Sequence, residues 1–81
     1  MVISINSDEK ERMEFRKKFW ANVKEKLKEL NIPLNTLQRE AGLTNGEFSK
    51  LERGQEDFEF DRVFRISRVL NCKIEVLFKG L

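Results

Sequence analysis

Leu37-Gln38-Arg39-Glu40-Ala41-Gly42-Leu43-Thr44-Asn45-Gly46-Glu47-Phe48-Ser49-Lys50-Leu51-Glu52-Arg53-Gly54 is the stretch on which the fold turns. Leu37 and Ala41 stand one helical turn apart and mark the buried side of a short helix. That helix stops at Gly42, because glycine enters the left-handed conformation at a helix C-terminus without a Cβ penalty. Thr44-Asn45-Gly46-Glu47 then spells a capping box, in which the threonine hydroxyl and the glutamate carboxylate each satisfy a backbone amide of a new helix. Phe48 and Leu51 form the inward side of that helix, and Gly54 ends it. Two helices, about 34–41 and 45–53, are therefore joined by the turn Gly42-Leu43-Thr44.

Upstream, Pro33 disfavours helical geometry at Ile32 and lacks a backbone donor, so Asn31 to Pro33 separates the second helix from a first. The second helix begins at Leu34, or slightly later if Asn35 caps it with Gln38 three residues on. The first helix, of about twenty residues, is offered caps by Ser7 and Asp8 and carries apolar residues at Phe19, Val23, Leu27 and Leu30 with Trp20 alongside. Val2 to Ile5 is β-prone but too short to stand alone, so residues 1–7 read as a loose arm, with a strand pairing to a partner chain as the alternative, and 8–81 as a single domain. Downstream of an acidic connector, Gln55 to Asp57, the apolar residues Phe60, Val63, Phe64, Ile66 and Leu70 fit a fourth helix that Asn71 ends. Cys72 to Phe78 stays open, since the alternation Cys-Lys-Ile-Glu-Val suits a strand and Lys73 is a poor N-cap.

Composition narrows the function classes. An 81-residue chain holds one core, and 40% apolar residues with interspersed charge describe a foldable globular sequence. No apolar run is long enough to span a membrane, and the acidic residues of the first helix dilute its basic face, so no membrane partner is expected. The N-terminus lacks a secretory pattern, and a cytoplasmic protein is expected. With no histidine and one cysteine there is no metal-binding spacing, no catalytic pairing and no sign of a cofactor. Cys72 lies in an apolar run and reads as a buried, inert thiol.

Leu37, Ala41-Gly42-Leu43, Thr44, Phe48-Ser49 and Leu51-Glu52-Arg53-Gly54, followed by Phe60, Ile66, Leu70, Cys72, Ile74, Leu77 and Phe78, resemble the Cro and phage-repressor (XRE-type) helix-turn-helix family. The resemblance runs without a gap from Ile32 to Phe78. It implies an all-α, compact five-helix lambda-repressor-like domain, here with an extended first helix and a short N-terminal arm. It also implies a short fifth helix where Ile74 to Phe78 fall. The partner it implies is double-stranded DNA, with the third helix in the major groove as the recognition helix.

Carried over residue by residue, the base-facing positions are Thr44, Asn45, Gly46, Glu47 and Lys50. Asn45 suits a bidentate contact to adenine, Lys50 reaches guanine or phosphate, and Thr44 suits a phosphate or a thymine methyl. Capping alone is the alternative role for Thr44 and Glu47. Gly46 either leaves a base pair unread or lets the helix backbone approach closely. Asn35, Thr36, Arg39, Arg53 and Gln55, with backbone amides of the Gly54 loop, are the candidate phosphate contacts. Phe58 stands where the family often has proline.

Three positions depart from the family. Leu34 replaces a polar residue at the head of the second helix, Gln38 replaces a small residue under the third, and Leu27 stands where an arginine would pair with the carboxylate of Glu52. From Pro33 to Asp57, three basic residues (Arg39, Lys50, Arg53) face five acidic ones (Glu40, Glu47, Glu52, Glu56, Asp57), a net charge of −2 in a chain of net +2. Phosphate neutralisation drives much of DNA affinity, so this unit needs flanking cations and a homodimer reading two half-sites roughly 34 Å apart. The same charge favours a rival, a helix-turn-helix interaction module of antitoxin or anti-repressor type with a protein partner.

Overall fold

The computed structural model describes residues 5–57 and 59–81, with side chains from Asp8 onward. Among them five helices follow one another without a strand: α1 (Ile5–Leu30), α2 (Leu34–Ala41), α3 (Asn45–Glu52), α4 (Phe60–Val69) and α5 (Ile74–Leu77).

Each break between helices has a local cause. Asn31 takes the left-handed conformation, with φ of 57°, and the amide of Ile32 donates back to the Leu27 carbonyl at 2.9 Å, closing the end of α1. Pro33, extended at φ −64° and ψ 145°, is the N-cap of α2. Asn35 therefore sits inside the helix and caps nothing. Gly42 is left-handed at φ 71°, and the Leu43 amide donates to the Gln38 carbonyl at 2.7 Å. Asn71, at φ 49°, ends α4 in the same manner, with the Cys72 amide on the Ser67 carbonyl.

The core draws Phe19, Trp20, Val23 and Leu27 from α1, Leu37 and Ala41 from α2, Leu43 from the turn, Phe48 and Leu51 from α3, Val63, Ile66 and Leu70 from α4, and Leu77 from α5. Helix α2 packs on α4, α3 on α1, and α5 on both α1 and α4. Trp20 joins α1 to α3, its ring edge-on to Phe48 with centroids 5.6 Å apart.

Several expectations are corrected by tertiary packing. Helix α1 runs back to Ile5, so Ser7 and Asp8 lie within it and part of the expected arm is helical; Val2 to Ser4 are outside the described residues. Leu30 is exposed. Of the apolar residues on α4, Phe60 is 73% and Phe64 42% exposed, because the buried stripe is Val63, Ile66 and Leu70 together with Ser67. The Arg68 guanidinium lies over the Phe64 ring, 4.8 Å from its centroid. Cys72 is half-buried rather than fully enclosed, and burial pushes its thiol pKa up against a smaller downward pull from Lys26. Phe58 lies outside the described residues.

The tail 72–78 holds the short helix α5 and not a strand because α1 receives it. Leu77 is fully buried, and the Asn22 side chain donates to the carbonyls of Leu77 and Lys79, each at 2.9 Å, satisfying groups that a short helix leaves open at its C-terminus.

Candidate nucleic-acid interface

Thr44 begins α3 as a full capping box. Its hydroxyl oxygen accepts from the Glu47 amide at 3.1 Å, while its own amide donates to Glu47 Oε1 at 3.3 Å. The hydroxyl proton of Thr44 is not used by the cap and stays able to donate. Replacing Thr44 with alanine is expected to cost about 1 kcal/mol, lowering the melting temperature by about 5 °C, as a thermal melt followed by circular dichroism would report.

With Phe48 and Leu51 turned inward, Asn45, Gly46, Ser49, Lys50 and Arg53 form the exposed side of α3 and its end. Asn45, Ser49 and Arg53 recur at four-residue spacing, as do Gly46 and Lys50, so the two rows lie side by side. Ser49 is a member of this surface that sequence reading did not single out, although its spacing from Asn45 carries the signal.

Gln38 donates through Nε2 to Asn45 Oδ1 at 3.0 Å. The residue that departs from the family's small side chain thus holds the carboxamide of Asn45. It occupies one lone pair of Oδ1 and leaves the other lone pair and the amide hydrogens to present outward. The same contact sets the Asn35, Gln38 and Arg39 side of α2 beside the exposed rows of α3.

Gly46 is not required by the backbone. A Cβ there would meet nothing closer than Thr44 Oγ1 at 4.0 Å, and its φ is not positive. The glycine therefore lowers the relief of the exposed surface without serving the fold.

Four of the five acidic residues of this unit are held by cations, and Glu56, which is exposed, belongs to no ion pair among the described residues. Glu47 Oε2 pairs with Arg62 of α4 at 3.6 Å, Glu52 with Lys24 of α1, and Asp57 with Arg16 at 3.1 Å and Arg12 at 3.9 Å, also from α1. Glu40 stands 3.9 Å from Arg39. Lys24 does the work of the arginine missing at Leu27, from one turn earlier on α1, and so ties α3 to α1 through Glu52. Glu47 is engaged by both its cap and Arg62, which fits the capping role. The pairs other than Arg16–Asp57 are partly or fully exposed and stabilise little, yet all of them cancel charge where a polyanion would otherwise be repelled. Among the described residues Lys50 and Arg53 belong to no ion pair and are both exposed.

At the phosphate-candidate positions, Asn35, Arg39, Arg53 and Gln55 are exposed and Thr36 is half-buried. The backbone amides of the Gly54 loop are not available as expected. Gly54 donates to the Leu51 carbonyl and Gln55 to that of Lys50, each at 3.0 Å, closing the end of α3. Gly54 itself is buried at φ 76°, and its carbonyl accepts from Arg16, a residue only 4% exposed, at 2.5 Å. The loop is therefore clamped from beneath by α1, a role that nothing in the local sequence around Gly54 announces.

No helix among the described residues is long and apolar enough to cross a membrane, and no group of residues among them has the make-up of a metal site. Neither a curated protein nor a solved structure matches the chain. The family model described as Helix-turn-helix matches residues 23–77, from the middle of α1 through α5. Two helices joined by Gly42-Leu43-Thr44, a capped third helix with an exposed polar side, and a family match over more than half of the chain lead to one assignment: the chain belongs to the Cro/C1-type helix-turn-helix family of DNA-binding regulatory domains.

Proposed function

We propose that this chain is a sequence-specific regulator that binds duplex DNA in the cytoplasm, acting as a repressor and reading two half-sites as a homodimer. The observation that carries the reading is the pairing of Glu47, Glu52 and Asp57 with cations from α1 and α4. The charge of −2 in the Pro33 to Asp57 segment is offset from outside it, and Lys50 and Arg53 are left for phosphates and base edges. Asn45, oriented by Gln38, is the residue suited to adenine, Lys50 to guanine or a phosphate, and the bare backbone at Gly46 lets α3 sit close to the bases. Thr44, Asn35, Thr36, Arg39, Arg53 and Gln55 supply side-chain contacts to phosphate. A single such unit covers one half-site, so useful affinity calls for two units about one helical turn of DNA apart.

Selection from a random duplex library at about 100 mM salt tests this, because non-specific electrostatic binding weakens there while base contacts persist. A two-fold symmetric motif is the expected result. Absence of any enriched motif with folded protein would overturn the reading in favour of a protein-interaction module.

A further inference from the structure

The end of α3 has a neighbour from α1 that the helix-turn-helix itself does not contain. A Cβ placed at Gly54 would lie 2.6 Å from the Met13 carbonyl oxygen, 3.0 Å from Met13 Cγ and 3.2 Å from Lys17 Cγ. Met13 and Lys17 are one turn apart, so the same side of α1 lies against this loop. The Lys17 stem therefore lies against Gly54, the residue between Arg53 and Gln55. Lys17 is exposed and belongs to no ion pair among the described residues. Two carboxylates on the loop side are already engaged, Asp57 by Arg16 and Arg12 and Glu52 by Lys24. Of the other acidic residues close in sequence to the site, Glu14 and Glu56 are exposed and make no ion pair with it.

We infer that Lys17 is a DNA-phosphate contact, contributed by α1 and placed beside Arg53 and Gln55 at the end of the recognition helix. The inference rests on the DNA-binding reading above. A lysine is suited to this place because its apolar stem packs on the loop while its ammonium, a compact charge with three donors, reaches past it to a phosphodiester oxygen. The contact carries no sequence information; it fixes how α3 lies along the backbone and adds the charge that the Pro33 to Asp57 segment lacks.

The test is the anisotropy of labelled duplexes, one selected and one random, titrated with wild-type chain, Lys17→Gln, Lys17→Arg and Lys18→Gln between 50 and 200 mM salt. Lys18 is the control, since it is also exposed but points about 100° away around α1. Lys17→Gln is expected to weaken both duplexes alike and to reduce the slope of log affinity against log salt by about 0.9. The deficit at 50 mM is then about three- to fourfold larger than at 200 mM. Lys17→Arg restores the slope, and Lys18→Gln leaves it unchanged. An unchanged slope for Lys17→Gln, or an equal loss in Lys18→Gln, would overturn the contact while leaving DNA binding intact. Failure of the wild-type chain to bind any duplex would overturn the DNA-binding reading, and the contact with it.

Discussion

Gly54→Ala is expected to destabilise the protein by about 3 kcal/mol, lowering its melting temperature by about 15 °C. Two independent costs fall on one position. At φ 76° an L-residue is strained whatever space surrounds it, and the added Cβ would sit 2.6 Å from the Met13 carbonyl oxygen, which belongs to the backbone of α1 and cannot rotate away. Relief requires the loop to lift from α1, which stretches the bond from Arg16 to the Gly54 carbonyl and exposes the guanidinium that Asp57 holds. Gly46→Ala is the matched comparison. Its nearest neighbour is 4.0 Å away and it lies inside α3, so the substitution is expected to be neutral or to stabilise by up to about 1 kcal/mol. Urea unfolding of the two variants beside the wild type separates them. Equal stability of Gly54→Ala and the wild type would disprove the close approach of α1 to this loop.

Lys50→Glu is expected to abolish duplex binding, by about 100-fold or more, with the helical circular dichroism unchanged. The side chain is exposed and, among the described residues, bound to no carboxylate, so the fold loses no ion pair there when its charge is reversed. The interface loses more than one cation. The new carboxylate at position 50 stands three residues before Arg53, the spacing at which opposite charges pair on a helix, and so withdraws the free cation at the C-cap of α3 as well. Loss of a base or phosphate contact accounts for about 1–3 kcal/mol, and repulsion from the polyanion adds to it. Lys50→Ala, which removes the charge without recruiting Arg53, is expected to fall between. Normal binding by Lys50→Glu would take Lys50 out of the interface. A loss of helix in that variant would make the residue structural.

These two positions also differ in how far they could be read from the chain. Lys50 was legible because a capped helix with Phe48 and Leu51 inward turns position 50 outward, whatever it packs against. Gly54 was legible only as a helix end. Its second constraint, the backbone of Met13, comes from a residue 41 positions earlier in the chain, and no local pattern encodes the approach.

The same division runs through the molecule. By itself the sequence determined α2, the turn, α3 with its capping box, the left-handed end at Gly42 and the stop of α4 at Asn71, because each depends on interactions within a few residues: side-chain caps, glycine's freedom, the missing donor of Pro33. Tertiary structure decided the rest. The residue pattern at Cys72 to Phe78 served strand and helix equally, and the choice fell to helix where Leu77 meets the core and Asn22 takes the carbonyls of Leu77 and Lys79. The apolar residues of α4 fitted one helix, but only the packing on α2 and α5 selected Val63, Ile66 and Leu70 for burial and left Phe60 exposed. Counting charges along the chain makes the Pro33 to Asp57 segment acidic, while Arg62, Lys24 and Arg16 reach it from helices outside that segment. Electrostatic attraction acts through space and not along the chain, so the charge presented by the surface of α3 was set when α1 and α4 packed around it.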